Sequence, residues 1–269
     1  MNLEGTLGFL GFGNMGQAIA RGLLDTGTVT PRQILIFDID EKKLEDARAL
    51  GVSVVATSGE LAQRSEVLIL AVKPQSMADA LRETKCGLAP DTLIISIAAG
   101  ISLNRLEQSL GTSFRIVRVM PNTPALVGAG AAAAALNSQC TEADIETTRA
   151  IFEAVGIVEI VREEVMDAVT ALSGSGPAYF FHFVEILAAA GTAHGLSGEQ
   201  AVRLAAQTLS GAGRLLRESG ESAEVLRQRV TSKGGTTEAA LNCFKEQGLE
   251  RIVRAGFDAA VARSKALGA

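Results

Sequence analysis

The stretch Leu7 to Gln17, Leu-Gly-Phe-Leu-Gly-Phe-Gly-Asn-Met-Gly-Gln, constrains this chain more than any other. Gly11, Gly13 and Gly16 have G-x-G-x-x-G spacing, which lets a strand turn tightly into a helix whose first amides face a pyrophosphate. Gly11 permits the sharp turn, Gly13 removes a side chain that would hold the phosphates off, and Gly16 lets the helix pack on the strand. An ordinary tight turn can use three glycines as well. Here Thr6 to Leu10 reads as a short buried strand, and Ala18, Ile19, Leu23 and Leu24 give the apolar side of a helix, which favours a dinucleotide site.

Composition narrows the partners. The chain has 269 residues, 47% of them hydrophobic and 20% charged, enough for one or two globular domains. A net charge of −5 offers no basic field for nucleic acid or an anionic membrane surface, so neither is an expected partner. Cys86, Cys140 and Cys243 are odd in number and far apart, which argues against a disulfide framework or a zinc site and fits a reducing cytosol. No basic-then-apolar leader precedes the first strand, and runs such as Val67–Val72 and Gly128–Leu136 are too short for a bilayer. The expected location is the cytoplasm.

After the first helix, Gln33–Phe37 reads as a second strand ending at Asp38, 22 residues beyond Gly16, where a nucleotide-binding fold places the acid that bonds the adenine ribose. The same Asp-Ile-Asp-Glu run also suits the N-terminus of a helix over 40–50, and both readings are compatible. Strands follow at 52–56, 66–72, 92–98 and 114–120. The run Val-Leu-Ile-Leu-Ala-Val has the near-continuous apolarity of a strand covered on both faces. Strands alternating with helices imply a parallel sheet whose ligand lies beyond the strands' carboxyl ends, where Ala71-Val72-Lys73-Pro74, Ala98-Ala99-Gly100 and Met120-Pro121-Asn122-Thr123 gather. Gly128–Leu136 is helical by alanine content but glycine-flanked; it is expected as an added edge strand paired with 156–161, with a helix over 141–155 between. Beyond 163 the chain reads as helices at 164–172, 176–194, 198–218, 222–231, 236–246 and 249–266. The fold class is therefore α/β: a Rossmann-type doubly wound sheet over 1–163, then an all-α domain over 164–269. Apolar faces such as Phe180, Phe183, Val184, Leu187 and Ala190, and Val202, Ala205, Leu209 and Leu216, predict a homo-oligomer over packing within one chain.

Two stretches in the helical half carry more than packing: Ala171 to Tyr179 (Ala-Leu-Ser-Gly-Ser-Gly-Pro-Ala-Tyr) and Val230 to Thr237 (Val-Thr-Ser-Lys-Gly-Gly-Thr-Thr). The second sets glycine amides and hydroxyls just before a helix, a nest suited to a small carboxylate, although Thr236 or Thr237 could simply cap that helix. His182 and His194, 12 apart on one helix, are unsuited to one metal, so no metal is expected. The serine-hydrolase elbow fails because Ser173 stands where its first glycine belongs, and no P-loop motif is present. Glu163-Glu164 reads as a solvated helix start.

Together these segments closely resemble pyrroline-5-carboxylate reductase along nearly the whole chain. The resemblance rests on Gly8-x-x-Gly11-x-Gly13-Asn14-Met15, Ala71 to Gln75, Val119 to Ala125, Ser173 to Tyr179 and Thr231 to Thr237. It implies reduction of a cyclic imine, 1-pyrroline-5-carboxylate, to L-proline by NADPH or NADH. It also implies a helical substrate-binding and dimerisation domain that intertwines with a partner chain, the dimers in several members forming decamers of five. The implied cofactor-binding residues are Phe9, Leu10, Gly11, Phe12, Gly13, Asn14, Met15, Asp38, Ser58, Ala71, Val72, Lys73, Pro74, Ala98, Ala99 and Gly100. The implied substrate site is the glycine–threonine turn: amides of Gly234, Gly235 and Thr236 with Ser232 hold the carboxylate, while the Thr237 hydroxyl bonds the ring nitrogen and is the catalytic candidate.

Two positions depart from the family's commonest form. Lys233 stands where proline is usual, and Ser58 where many members have asparagine against the adenosine ribose. The family often prefers NADPH, yet Asp38 would repel a 2′-phosphate and no arginine follows it, so NADH is expected to be accepted well. A hydroxyacid dehydrogenase shares the two-domain plan, but its lysine position is Phe180 here. A nicotinamide-sensing regulator would explain the first half and not the carboxylate nest.

Overall fold

The computed structural model describes residues 3–268. The chain runs β1 (Leu7–Leu10), α1 (Asn14–Asp25), β2 (Ile34–Phe37), α2 (Glu41–Ala49), β3 (Ser53–Val54), α3 (Ser58–Arg64), β4 (Val67–Leu70) and α4 (Met77–Thr84). It continues through β5 (Leu93–Ser96), α5 (Leu103–Leu110), β6 (Arg115–Met120), β7 (Gly130–Leu136), α6 (Glu142–Glu153), β8 (Gly156–Ile160) and α7 (Met166–Val169). Helices α8 (Gly176–Ala193), α9 (Gly198–Ser219), α10 (Ala223–Arg229), α11 (Thr236–Glu246) and α12 (Leu249–Gly268) complete it.

The strands form one eight-stranded sheet in the order β3-β2-β1-β4-β5-β6-β7-β8. Pairing is parallel through β6. Alternate residues feed two cores, one on each face, as the period-2 pleat of a doubly covered sheet requires. Phe9, Ile34, Ile36, Ile69, Ile95 and Val117 meet Ile19 and Leu23 of α1 and Phe152 of α6. Leu10, Leu35, Leu68, Leu70, Ile94 and Ile116 meet Leu61 of α3, Leu81 of α4 and Leu106 of α5. Each fully buried Leu or Ile contributes roughly 1.5–3 kcal/mol.

Three local findings differ from the sequence reading. The sheet becomes mixed at β7, which runs antiparallel to β6 and parallel to β8. β7 is thus an inner strand, and β8 is the edge. Strand pairing on both sides overrides the helix propensity of its alanines. Helix α3 was not anticipated: Thr57 accepts from the Glu60 amide at 3.0 Å, and the Glu60 carboxylate accepts from the Ala56 amide at 3.2 Å. That reciprocal cap holds seven residues helical and buries Leu61 and Ala62.

By compactness the chain divides into two units, one reaching Ser175 and taking in the end of the chain from Ala260, the other Gly176–Ala259. The first extends past the expected 163 because Met166 of α7 is fully buried in the second core. Ser264 of α12 donates to the Asp167 carboxylate at 2.6 Å, tying the chain's end to the same unit. The second unit is wholly helical.

Candidate active site: a glycine cradle and a glycine–threonine turn

β1 and β4 are neighbours whose following segments leave in opposite directions across the sheet, to β2 and to β5, which makes their carboxyl ends the topological switch point. Leu10 is in register with Phe37 on one side and Leu70 on the other, so Gly11, Asp38 and Ala71 emerge side by side. Gly11 has φ +95°, and a Cβ there would lie 2.9 Å from the Ala71 carbonyl carbon and oxygen. Only glycine satisfies both the left-handed conformation and the close approach. Gly13, the N-cap of α1, is different: nothing lies within 4 Å of where its Cβ would stand. Helix α1 has no side-chain cap and no acidic residue in its first turn. Its opening amides and the positive end of its dipole therefore face open space, the arrangement an anion requires. The residues fit a dinucleotide pyrophosphate.

The other cofactor candidates fall around this edge. Phe9 and Phe12 are fully buried and stack edge to face at 6.4 Å, and Leu10 is buried, so these three offer backbone only. The Phe12 amide donates to Asp38 Oδ2 at 2.6 Å. Asn14 is exposed and Met15 half-buried at the helix start. Ser58 is buried at the first position of α3, its neighbour Thr57 exposed. The Ala71 amide donates to Leu10 O at 2.8 Å; Val72 and Pro74 are half-buried and Lys73 exposed. Beyond β5, Ala98 is buried, Ala99 exposed and Gly100 half-buried.

Asn122 is a structural node to which the sequence reading gave no role. It is buried; its Nδ2 donates to Ser173 O at 3.0 Å and its Oδ1 accepts from the Ala131 amide at 2.8 Å. One side chain thus ties the Pro121–Pro124 turn, the start of β7 and the Ser-Gly-Ser-Gly segment together. Glu163, read as solvated, instead accepts from Arg118 Nη1 at 3.1 Å and from the Leu103 amide at 2.6 Å. Arg118 lies buried inside β6, and an unpaired guanidinium there would be costly, which explains the bond.

In the helical unit the turn before α11 has Gly234 at φ +72° and Gly235 as N-cap. The Gly235 amide donates to Ser232 O at 3.0 Å, and the Gly234 amide to Glu238 Oε2 at 2.7 Å. Two of the three amides expected to hold a substrate carboxylate are thus engaged within the turn. The amides of Thr236 and Thr237 open α11 and have no intrahelical acceptor. Gly234's partner is itself a carboxylate, supplied by the residue four positions on. Ser232, Gly234 and Thr236 are exposed, and Gly235 and Thr237 half-buried.

Among the described residues no group of three or more His, Cys, Asp or Glu could hold a metal, and no helix is long and apolar enough to cross a membrane. Cys86 and Cys243 are exposed free thiols. Burial, then the Asp144 carboxylate, pushes the Cys140 thiol up to about 11. A surface cavity of about 450 Å³ lies at the sheet's amino edge, where Arg115 pairs with Asp144 at 2.7 Å. It lies at the opposite end of the strands from the glycine cradle, so it has no part in the site.

Comparison with known proteins accounts for both halves. Residues 163–267 match the family model for pyrroline-5-carboxylate reductase dimerisation, and 6–100 match that for NADP oxidoreductase, coenzyme F420-dependent. A pyrroline-5-carboxylate reductase of Methanosarcina acetivorans is 39% identical over 97% of both chains. The solved pyrroline-5-carboxylate reductase of Coxiella burnetii superposes with a TM-score of 0.94 at 36% identity, covering 98% of this chain and 99% of that one. The pyrroline carboxylate reductase of Plasmodium falciparum, solved with NADP bound, covers both chains fully at TM-score 0.88 and 32% identity. With identities of 36–39% over nearly the whole length of these relatives, and a cradle, switch point and glycine–threonine turn of its own, the chain belongs to the pyrroline-5-carboxylate reductase family.

Proposed function

We propose that this protein reduces 1-pyrroline-5-carboxylate to L-proline with NAD(P)H, the last step of proline biosynthesis, in the cytoplasm. The observation that carries the reading is the pairing, in one family member, of an uncapped α1 cradle with an amide-rich turn opening α11. When bound, the reduced nicotinamide supplies a hydride. The amides of Gly13, Asn14 and Met15 hold the pyrophosphate, with Gly11 and the Phe12 backbone shaping the turn and Phe9 and Leu10 its strand. Asp38 and Ser58 take the adenosine ribose. Ala71–Pro74 and Ala98–Gly100 border the nicotinamide half.

The turn Ser232–Thr237 holds the substrate. Its carboxylate is received by the Thr236 amide and the Ser232 hydroxyl, and by Gly234 and Gly235 once their internal partners yield. Glu238 occupies the Gly234 amide until then, a carboxylate standing where the substrate's carboxylate belongs. The Thr237 hydroxyl bonds the ring nitrogen and hands on its proton, with water as the source. An iminium is already a good electrophile, so orientation supplies most of the catalysis, and a site without histidine suffices.

The reading includes a homodimer, and a decamer of five such dimers is its extension from the family resemblance. In the chain alone, Phe180, Phe181, Phe183, Ile186 and Leu187 of α8 and Val202 of α9 are all exposed. Six large apolar side chains exposed on two helices favour burial against a second copy, and they support residues 164–269 as the substrate-binding and dimerisation domain. L-Proline-dependent reduction of NAD(P)⁺ at alkaline pH tests the activity; its absence overturns the proposal. Thr237→Ala is expected to cut kcat about 10- to 100-fold while dinucleotide affinity stays, and unchanged turnover removes Thr237 from the mechanism.

A further inference from the structure

Two helices open on the same sheet edge, and they treat anions in opposite ways. Helix α1 has no side-chain cap and no acid in its first turn. Helix α2, which follows β2 where an adenosine ribose would lie, is closed by its own carboxylates. Asp38 Oδ1 accepts from the Asp40 amide at 2.9 Å, while its Oδ2 holds the Phe12 amide of the glycine turn. Asp40 is the N-cap, and its Oδ1 accepts from the Lys42 amide at 3.0 Å. Glu41 follows in the first turn, held by Arg48 at 2.6 Å, which commits that guanidinium. Lys43 faces Asp46 at 3.9 Å, and Lys42 is exposed. Three carboxylates and two lysines leave the segment 38–43 net negative.

A ribose with a free 2′-hydroxyl brings a donor, and each Asp38 oxygen keeps a second lone pair to accept it. A 2′-phosphate brings about two negative charges and no comparable donor. It would need the amides at the start of α2, and the Asp40 and Lys42 amides are already bound to carboxylates. We infer that Asp38 and Asp40 together select NADH over NADPH, Asp38 by receiving the ribose hydroxyl and Asp40 by holding a negative charge at the α2 N-terminus, where it repels a phosphate. The inference rests on the dinucleotide reading above and assigns Asp40 a specificity role distinct from capping.

Direct binding of each dinucleotide, read by nicotinamide fluorescence or calorimetry on the purified full chain, tests it without any turnover. The wild type is expected to bind NADH roughly 10- to 100-fold more tightly than NADPH, the effect of two nearby carboxylates on a dianion at a solvated surface. Asp40→Ser keeps an N-cap and removes the charge, and should narrow that ratio about 3- to 10-fold through tighter NADPH binding. Asp40→Asn, also a good cap, should do the same, which guards against a folding defect in one variant. A wild type that binds NADPH equally or better, or a ratio that neither variant moves, overturns the inference and leaves the reductase reading standing. Binding of neither dinucleotide overturns both.

Discussion

Gly11 and Gly13 are two residues apart in one motif, yet the structure separates what each does, so alanine at each position should produce opposite phenotypes. At Gly11 the φ of +95° costs an L-residue about 1–3 kcal/mol. Its Cβ, 2.9 Å from the Ala71 carbonyl carbon, must push back the backbone leaving β4, adding about 1 kcal/mol or more. Gly11→Ala should thus lose about 2–4 kcal/mol, a Tm lowered by roughly 5–12 °C, in a protein stable enough to remain folded. At Gly13 the φ of −71° suits alanine, and no atom lies within 4 Å of the added methyl. Gly13→Ala should melt within about 2 °C of wild type. On the proposed binding mode its methyl would instead stand where a pyrophosphate approaches α1, and loss of one charge-assisted bond there, about 1.5–3 kcal/mol, should weaken dinucleotide binding roughly 10- to 150-fold. The chain has no tryptophan, so NAD(P)H fluorescence reports binding without transfer from indole, and calorimetry gives the melt. Wild-type dinucleotide affinity in Gly13→Ala, or a melt displaced as far as that of Gly11→Ala, would refute the cradle.

Asn122→Ala strands the Ala131 amide and the Ser173 carbonyl, and is expected to lower stability by about 2–4 kcal/mol; a melt superimposable on wild type would show that the node is idle. Cys140 has its thiol raised from 9.0 to about 11, so the unfolded chain binds fewer protons than the native one in that window. Its contribution is complete below pH 9 and is lost as pH rises towards 11, a loss that Cys140→Ser should abolish in pH-dependent denaturation. Iodoacetamide at pH 8, followed by mass spectrometry, should label exposed Cys86 well before Cys140. Phe180→Glu with Phe183→Glu places charges on the apolar face of α8, and light scattering should show the assembly shifted to monomer at concentrations where wild type is oligomeric; an unchanged mass would move the interface elsewhere.

What could be read in advance was whatever a short range of sequence determines. The run Val67–Leu70 is buried on both faces as its unbroken apolarity required, and Gly11 and Asp38 stand at neighbouring strand ends as their spacing implied. Helix α3 was missed although Thr57-x-x-Glu60 carries a capping signal, because seven mostly polar residues give too little periodicity to outweigh a loop. The alanines of β7 were read as a strand, but their place between β6 and β8 depends on pairing partners remote in sequence. Glu163 looked solvated because its partner, Arg118, lies 45 residues earlier. The glycines of 234–235 are legible as amide donors; which acceptor the Gly234 amide takes depends on how far the Glu238 side chain reaches, and no motif encodes that.

The central claim is that the turn from the helical unit and the glycine cradle serve one reaction, hydride addition to a small cyclic imine acid. The most direct measurement incubates purified protein with 1-pyrroline-5-carboxylate and NAD(P)H deuterated at nicotinamide C4, followed by mass spectrometry and NMR of the product. The account predicts L-proline carrying a single deuterium at carbon 5. No proline, or proline without the label at that carbon, would contradict it.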